Sequence, residues 1–546
     1  MGNAKFCNCN SVDNNLQDFY FIFMTTSPKN TQFQTTITDG YTFDCQSITV
    51  GGAVLDGQVV SNTLVKLPLA TMNRHGLIAG ATGTGKTKTV QKIIESLSEA
   101  GVPSLVLDIK GDVSGISKAG QTDNPKVIDR SKLLGIEWLA KKYPVEFLTI
   151  SATTGVKLRA TVTEFGPNLF SKMLDLNDTQ ESAIAMIFKY CDDQGLALLD
   201  LADLKAVLQY LLSDNGKDQI TLEYGNVSPA TTSTILRKVV ELESTGGNLF
   251  FGEKSFEVND LLRSTSEGLG YVNIMRVCDI QGNPKLFATF MLAILAEIYT
   301  TFPEVGDIDK PKLCLFIDEA HLIFDQATST LLNQIEMTIK LIRSKGVGIY
   351  FITQNPMDIP ESVLAQLGLK IQHSLRAFTA NDRKAIKMAS ENYPLSDYYK
   401  IDELITNLGI GEALVTALNL RGNPTPLVHT MIIPPSSLMG TITEQELNEQ
   451  VNQSQLAAKY NQVTDRESAL EILKARMQRA LNNQPSASIA QSTEPTLSQN
   501  PSKAKSEPSM IESLASNSIF KSVGRLVATE LTRTVLGALG LRGKRR

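Results

Sequence analysis

Residues 74–89 read RHGLIAGATGTGKTKT, and the fold of the chain is decided there. Gly80, Gly85, Lys86 and Thr87 fill every fixed position of the pattern G-x-x-x-x-G-K-[ST]. Glycines at this spacing let successive backbone N–H groups turn inward around phosphate oxygens, and the helix that follows adds its positive end. The candidate nucleotide cradle is therefore Gly80, Ala81, Thr82, Gly83, Thr84, Gly85, Lys86, Thr87 and Lys88. Lys86 can reach the β- and γ-phosphates, and the Thr87 hydroxyl can take a place on Mg²⁺. A Gly/Thr-rich loop can match such a pattern by accident, so its setting matters. Residues 76–79 (GLIA) are apolar, as a buried strand requires. Val90, Ile93, Ile94 and Leu97 recur at the spacing of a helix with one apolar face. Gly101 ends that helix, and residues 102–107 (VPSLVL) read as the next strand. Strand, loop, helix, strand is the arrangement the motif needs.

At 546 residues the chain has room for several domains or for one large α/β core with insertions. Its 42% hydrophobic and 20% charged residues are ordinary for a soluble globular protein. The net charge of −5 gives no global basic footprint, so nucleic-acid contact would use a local patch or channel. Six cysteines in so long a chain are no disulfide framework. Cys191, Cys278 and Cys314 sit in apolar segments as small core residues, and Cys7 and Cys9 lack a second pair of metal ligands. A reducing, cytoplasmic setting fits. The opening MGNAKFCNCNSVDNN has no apolar signal-peptide core and lacks the Ser/Thr of a myristoylation site. Residues 287–302 (FATFMLAILAEIYTTF) are shorter than a bilayer span and carry Glu297, so a buried core helix is expected, and no integral membrane contact.

Taken in order, residues 1–65 read as a poorly defined segment with short strands at 19–24 and 47–54, and the first forty have loop-like composition. The core is expected over 66–435. Asp108, at the tip of the second core strand, could orient water or metal, or merely cap the turn that follows. Residues 171–265 form a helical insertion, with caps at Asp178 (boxed by Glu181), at Asp200 and at Ser228-Pro229. The second anchor is KLCLFIDEAH at 312–321, a buried strand ending in two carboxylates. Asp318 would hold Mg²⁺ through water, and Glu319 would polarise the attacking water. Residues 347–353 (VGIYFIT) form a further core strand, whose tip offers Gln354 to the γ-phosphate or the lytic water. Arg376 and Arg343 could each reach across a subunit interface to a neighbour's phosphate. Residues 410–434 supply the last strands, 436–481 a helical extension and 482–509 a disordered linker rich in Asn, Gln, Ser and Pro. Residues 510–546 read as a basic amphipathic helix, which could dock on the protein itself, on a membrane surface or on DNA.

With these anchors in place, the chain resembles the HerA/FtsK superfamily of P-loop ATPases, and most of all its bacterial YjgR-like branch of HerA-type helicase-like proteins. The resemblance is carried by NRHGLIAGATGTGKT, VPSLVLDIKGDVSGI, LCLFIDEAHLIF, IRSKGVGIYFITQNP and LRAFTANDRKAI, over residues 65–435, and more weakly by the closing GRLVATELTRTVLGALGLRGKRR. It implies an α/β fold with a RecA-like P-loop core, in which one strand separates the Walker A and Walker B strands. It also implies a homo-hexameric ring and ATP-driven movement of DNA, with ATP and Mg²⁺ as cofactors. Lys86 and Thr87 match the phosphate-loop pair, Asp318 and Glu319 the Walker B pair, Gln354 the sensor and Arg376 the trans-acting arginine. Archaeal relatives carry an N-terminal β-barrel that the stretch before residue 65 is too short and irregular to supply, which argues against a nuclease partner docking there. Asp318–His321 also spells DEAH and Ser151–Thr153 SAT, but in the reverse of their order in two-domain helicases. The expected function is an ATP-hydrolysing ring motor acting on DNA; the alternative is an ATP-gated scaffold that recruits a partner without translocating.

Overall fold

In a computed structural model the protein is described over residues 28–277, 284–306, 308–324, 329–462 and 467–482. Short apolar runs bounded by turns become twelve strands of one sheet: β1 (Ser47–Leu55), β2 (Gln58–Pro68), β3 (Gly76–Ala79), β4 (Ser104–Asp108), β5 (Val145–Thr149), β6 (Val156–Lys157), β7 (Val272–Arg276), β8 (Leu313–Ile317), β9 (Val347–Thr353), β10 (Leu369–Gln372), β11 (Glu412–Thr416) and β12 (Val428–Ile432). The spatial order is β2-β1-β12-β11-β10-β3-β9-β8-β4-β7-β5-β6. From β10 to β6 all neighbours run parallel, and β11, β12, β1 and β2 close one flank antiparallel. β9 lies between β3 and β8, the separation of the two anchor strands that the resemblance implies.

A parallel sheet is buried on both faces, so its strands read as continuous apolar runs rather than alternating ones. In β8, Leu313, Leu315 and Ile317 face one core while Cys314 and Phe316 face the other. In β9, Val347, Ile349 and Phe351 divide from Tyr350 and Ile352 in the same way. Phe316 and Tyr350 stack across the two strands with ring centroids 4.8 Å apart. Helices flank both faces, Lys86–Glu99 on one and Pro284–Thr301 on the other. In the latter, Phe287, Met291, Leu295 and Ile298 are buried as expected. Among the described residues no helix is long and apolar enough to cross a membrane. Cys191 and Cys314 are buried free thiols.

Between β6 and β7 the chain is helical, with helices Val162–Met173, Asp178–Asp193, Leu201–Leu212, Asp214–Tyr224 and Pro229–Leu242. The helical stretch starts ahead of residue 171 because Thr161 caps it: its hydroxyl accepts from the Glu164 N–H, and the Glu164 carboxylate accepts from the Thr161 N–H. The next cap is Asn177 boxed with Gln180, one residue before the expected Asp178 and Glu181. Asn and Asp cap about equally well, so the pattern alone left the choice open. Asp200 and Ser228 cap as read, Ser228 with Pro229 at the first helical position. The C-terminal helices Glu444–Gln453, Gln455–Tyr460 and Ala469–Asn482 turn back onto the fold. The Leu470 N–H donates to Asp203 Oδ1 at 2.9 Å, which ties the last helix to the helical insertion.

From residue 28 on, the N-terminal segment is more regular than its composition suggests. Pro28–Gly40 is a helix, and β1–β2 is a hairpin, so the boundary expected at 65 falls inside β2. Asp56 and Gly57 both take positive φ, the tight turn that Asp-Gly favours between strands. What holds the segment is distant in sequence. β1 pairs with β12, and the Tyr41 hydroxyl is within hydrogen-bond reach of the Val415 and Pro426 carbonyls, at 3.0 and 2.9 Å. The possible strand at 19–24, Cys7, Cys9, Cys278, the linker beyond residue 482 and the basic helix at 510–546 lie outside the described residues.

Leu315 is fully buried in the central sheet, whereas Leu222 is 86% exposed on the helical insertion. Leu315→Ala is expected to cost about 2–5 kcal/mol, and Leu222→Ser to stay within about 0.5 kcal/mol. Chemical denaturation followed by circular dichroism checks this; equal midpoints for the two variants would contradict the assigned core.

Candidate functional site

Parallel strands in register deliver their C-terminal ends to one edge of the sheet, where open α/β folds form their ligand crevice. Ala79 pairs with Thr353, and Ile317 pairs with Phe351 and with Leu107. The residues that follow these positions therefore emerge side by side: the loop from Gly80, the pair Asp318-Glu319, Gln354 and the turn after Asp108. The loop from Gly80 to Gly85 leads into the helix Lys86–Glu99. Gly80, Gly83 and Gly85 all take positive φ. At Gly80 a Cβ would come within 2.5 Å of the His373 side chain beneath it, so the close approach itself requires glycine. At exposed Gly83 a Cβ would meet nothing within 4 Å, so only its positive φ favours glycine there. His373 is fully buried, and its Nε2 lies 2.9 Å from the Thr89 hydroxyl. Burial pushes its imidazole down to about 4, so a neutral ring supports the loop.

Lys86 folds over the loop, with Nζ donating to the Gly80 carbonyl at 2.5 Å and the Ala81 carbonyl at 3.2 Å. Burial, followed by repulsion from the Lys110 ammonium, holds its pKa below the usual lysine range. The Thr87 hydroxyl donates to Asp112 Oδ2 at 3.1 Å. Across the crevice, burial raises the Asp318 carboxyl to about 7, against the pull of Lys110. Glu319 is buried and in the left-handed region, φ +47°. Its Oε1 is paired with the Lys110 ammonium, and its Oε2 lies 3.3 Å from His321 Nδ1 and 3.5 Å from Gln354 Nε2. Burial alone would raise the Glu319 pKa, but the bond and charge of Lys110 outweigh it and lower the value. Gln354 bridges the two sides, because Thr82 Oγ1 donates to its Oε1 at 3.4 Å.

The two arginines part company. Arg376 is exposed beside the phosphate loop of its own chain, with Nη2 3.4 Å from the Thr82 carbonyl. Arg343 is exposed ahead of β9, at the opposite edge of the sheet. The seven residues of β9, at about 3.3 Å each, put it about 20 Å from Gln354 of the same chain. Asp108 resolves as a cap, its two oxygens accepting from Gly111 N at 2.7 Å and Val113 N at 3.1 Å.

The same turn supplies two residues that the sequence reading passed over, Lys110 and Asp112. Their signal was the spacing Asp108-x-Lys110-x-Asp112 directly after a core strand. Asp112 Oδ1 is buried without a hydrogen-bond partner, beside the Thr87 hydroxyl. Thr87, Asp112 and Asp318 form a set of hard oxygen donors, which suits Mg²⁺. Among the described residues there is no ready-made cage of three or more His, Cys, Asp or Glu. Mg²⁺ is in general held by one or two carboxylates together with substrate phosphates, so the residues fit it.

Comparison with known proteins agrees with the motifs. The chain is 21% identical to the DNA double-strand break repair helicase HerA of Sulfolobus acidocaldarius over 369 residues, 67% of this chain and 66% of that protein. It is also 21% identical to its namesake in Saccharolobus solfataricus over 378 residues, with the same two shares. The alignments thus span slightly under two thirds of these relatives. Solved structures with some likeness include the bacterial conjugative coupling protein TrwB in an unbound form, 14% identical, covering 75% of this chain and 95% of that one at a TM-score of 0.48. Likeness at that level is remote. The profile of the helicase HerA-like C-terminal family, by contrast, matches residues 55–546, and the chain belongs to that family.

Proposed function

We propose that the chain hydrolyses ATP with Mg²⁺ and couples the reaction to movement along DNA, as a homo-hexameric ring in the cytoplasm. The observation that carries the proposal is that Gln354 joins the two sides of the crevice at the C-terminal ends of three adjacent strands, accepting from Thr82 of the loop that leads into Lys86-Thr87 and donating to Glu319 of the Asp318-Glu319 pair. Family membership and the relatives named for helicase activity support the DNA part.

In this reading the backbone N–H groups of Thr82, Gly83, Gly85 and Lys86 and the Lys86 ammonium bind the phosphates, Lys86 exchanging the Gly80 and Ala81 carbonyls for phosphate oxygens. Thr87, Asp112 and Asp318 would hold Mg²⁺, which would offset the charge of the triphosphate. Glu319 accepts a hydrogen from the attacking water and Gln354 fixes that water's position, its other end anchored on Thr82. Arg376, beside Thr82 in the same chain, adds positive charge where the terminal phosphate develops negative charge.

Three outcomes test this. Glu319→Gln should leave ATP binding intact and reduce turnover by about 10²–10⁴-fold in a single-turnover assay, as loss of a general base does; unchanged turnover refutes the role. Arg376→Ala should lower kcat by about 10³-fold. Mixing it with Glu319→Gln should restore nothing, because both groups act within one subunit, whereas recovery on mixing would return Arg376 to the neighbour's site. DNA should stimulate the ATPase, with an effect that falls steeply with salt as phosphate contacts require. Equal hydrolysis with and without DNA would favour the ATP-gated scaffold.

A further inference from the structure

We propose that Lys110 is a positioning residue that holds the Glu319 carboxylate against the β4 turn until the terminal phosphate of a nucleoside triphosphate draws its ammonium away. The inference rests on the reading of Glu319 as the group that polarises water, and adds a device that times it.

The turn carrying Lys110 is rigidly held. Asp108 accepts from both Gly111 N and Val113 N, and Gly111 takes a φ of +76° that a side-chain-bearing residue rarely adopts. From that base the Lys110 ammonium reaches across to Glu319 Oε1. Glu319 is itself fixed, at φ +47° and in a buried position. Its other oxygen faces Gln354 and His321. A carboxylate with both oxygens engaged is poorly placed to accept a hydrogen from water, so the pair with Lys110 has to loosen before hydrolysis.

What can loosen it is already close. The Lys110 ammonium pairs with Glu319, whose other oxygen faces Gln354, and Gln354 in turn is bonded to Thr82, so the ammonium borders the space beside the phosphate loop. A terminal phosphate in that space carries more negative charge than one carboxylate and competes for the same ammonium. A diphosphate leaves the pair undisturbed. Lys110 would thus tell the two nucleotides apart and release Glu319 only for the one that can be hydrolysed. An exposed ion pair would contribute little, but here the carboxylate is buried and only the lysine is partly in solvent.

The test is the affinity ratio of the full-length protein for a slowly hydrolysed triphosphate (ATPγS) over ADP, both with Mg²⁺, measured by fluorescence titration. Lys110→Met should cut the preference for the triphosphate by about tenfold, the scale of one charge-assisted contact. Lys110→Arg, which keeps the charge, should retain the preference. Glu319→Gln should raise it, because the competing carboxylate is gone. If Lys110→Met weakens both nucleotides alike or neither, or if Lys110→Arg behaves like Lys110→Met, the proposal falls. Should Lys110→Met fail to fold, Lys110→Gln is scored by the same ratio. The outcome is separable from the role of Glu319: persistent hydrolysis in Glu319→Gln removes that role, whereas the ratio judges Lys110 without reference to turnover.

Discussion

The register of three parallel strands is the constraint on which the rest of this structure depends. β9 pairs in register with β3 on one side and β8 on the other, so Ala79 ends level with Thr353 and Ile317 ends two residues short of it, opposite Phe351. A side chain one residue past a strand end has little freedom to miss its neighbours. Shifting β9 by one residue would turn Ile349 and Phe351 into the opposite core and carry Gln354 away from both Thr82 and Glu319. Packing of the two apolar layers therefore fixes the site's geometry, although no core residue takes part in its chemistry.

Charge is then concentrated where the sheet has used up its apolar surface. Asp318, Glu319, Asp112, Lys86 and Lys110 face one crevice, and burying any of them alone would be costly. They lower that cost for one another: Lys110 pairs with Glu319, and Asp112 takes the hydroxyl of Thr87. Asp318 is pushed up to about 7 by burial, against the attraction of Lys110. A cation beside it would reverse that penalty, in keeping with the hard oxygen donors gathered around it. The same partners that make the site stable also hold its residues at rest.

The antiparallel flank has a supporting role that its strands alone do not suggest. The loop entering β11 donates from Gly411 N to the Thr84 carbonyl at 2.9 Å, and the strand-end residue His373 fills the space under Gly80. The helix Pro28–Gly40 and the β1–β2 hairpin lean on that flank through Tyr41. The phosphate loop is thus backed by segments far from it in the chain, and its glycines give it a shape that these contacts then hold.

The sequence by itself determined the phosphate loop, the order of strands and helices around it, both acidic anchors and the amide at the tip of β9. Each of these is local: a glycine spacing, an apolar run of strand length, a polar residue directly after it. Tertiary structure decided what depends on distance. It put Arg376 beside its own loop and Arg343 about 20 Å away at the other edge, though both are arginines next to core strands. It settled Asp108 as a cap and brought forward Lys110 and Asp112, because which side of a turn faces the crevice is set by the strand neighbours. It also fixed residues 28–65, where the pairing of β1 with β12 joins Gly51 to Ile432. Local pattern specifies which group is offered at a strand end; only the packing of the sheet specifies what that group meets.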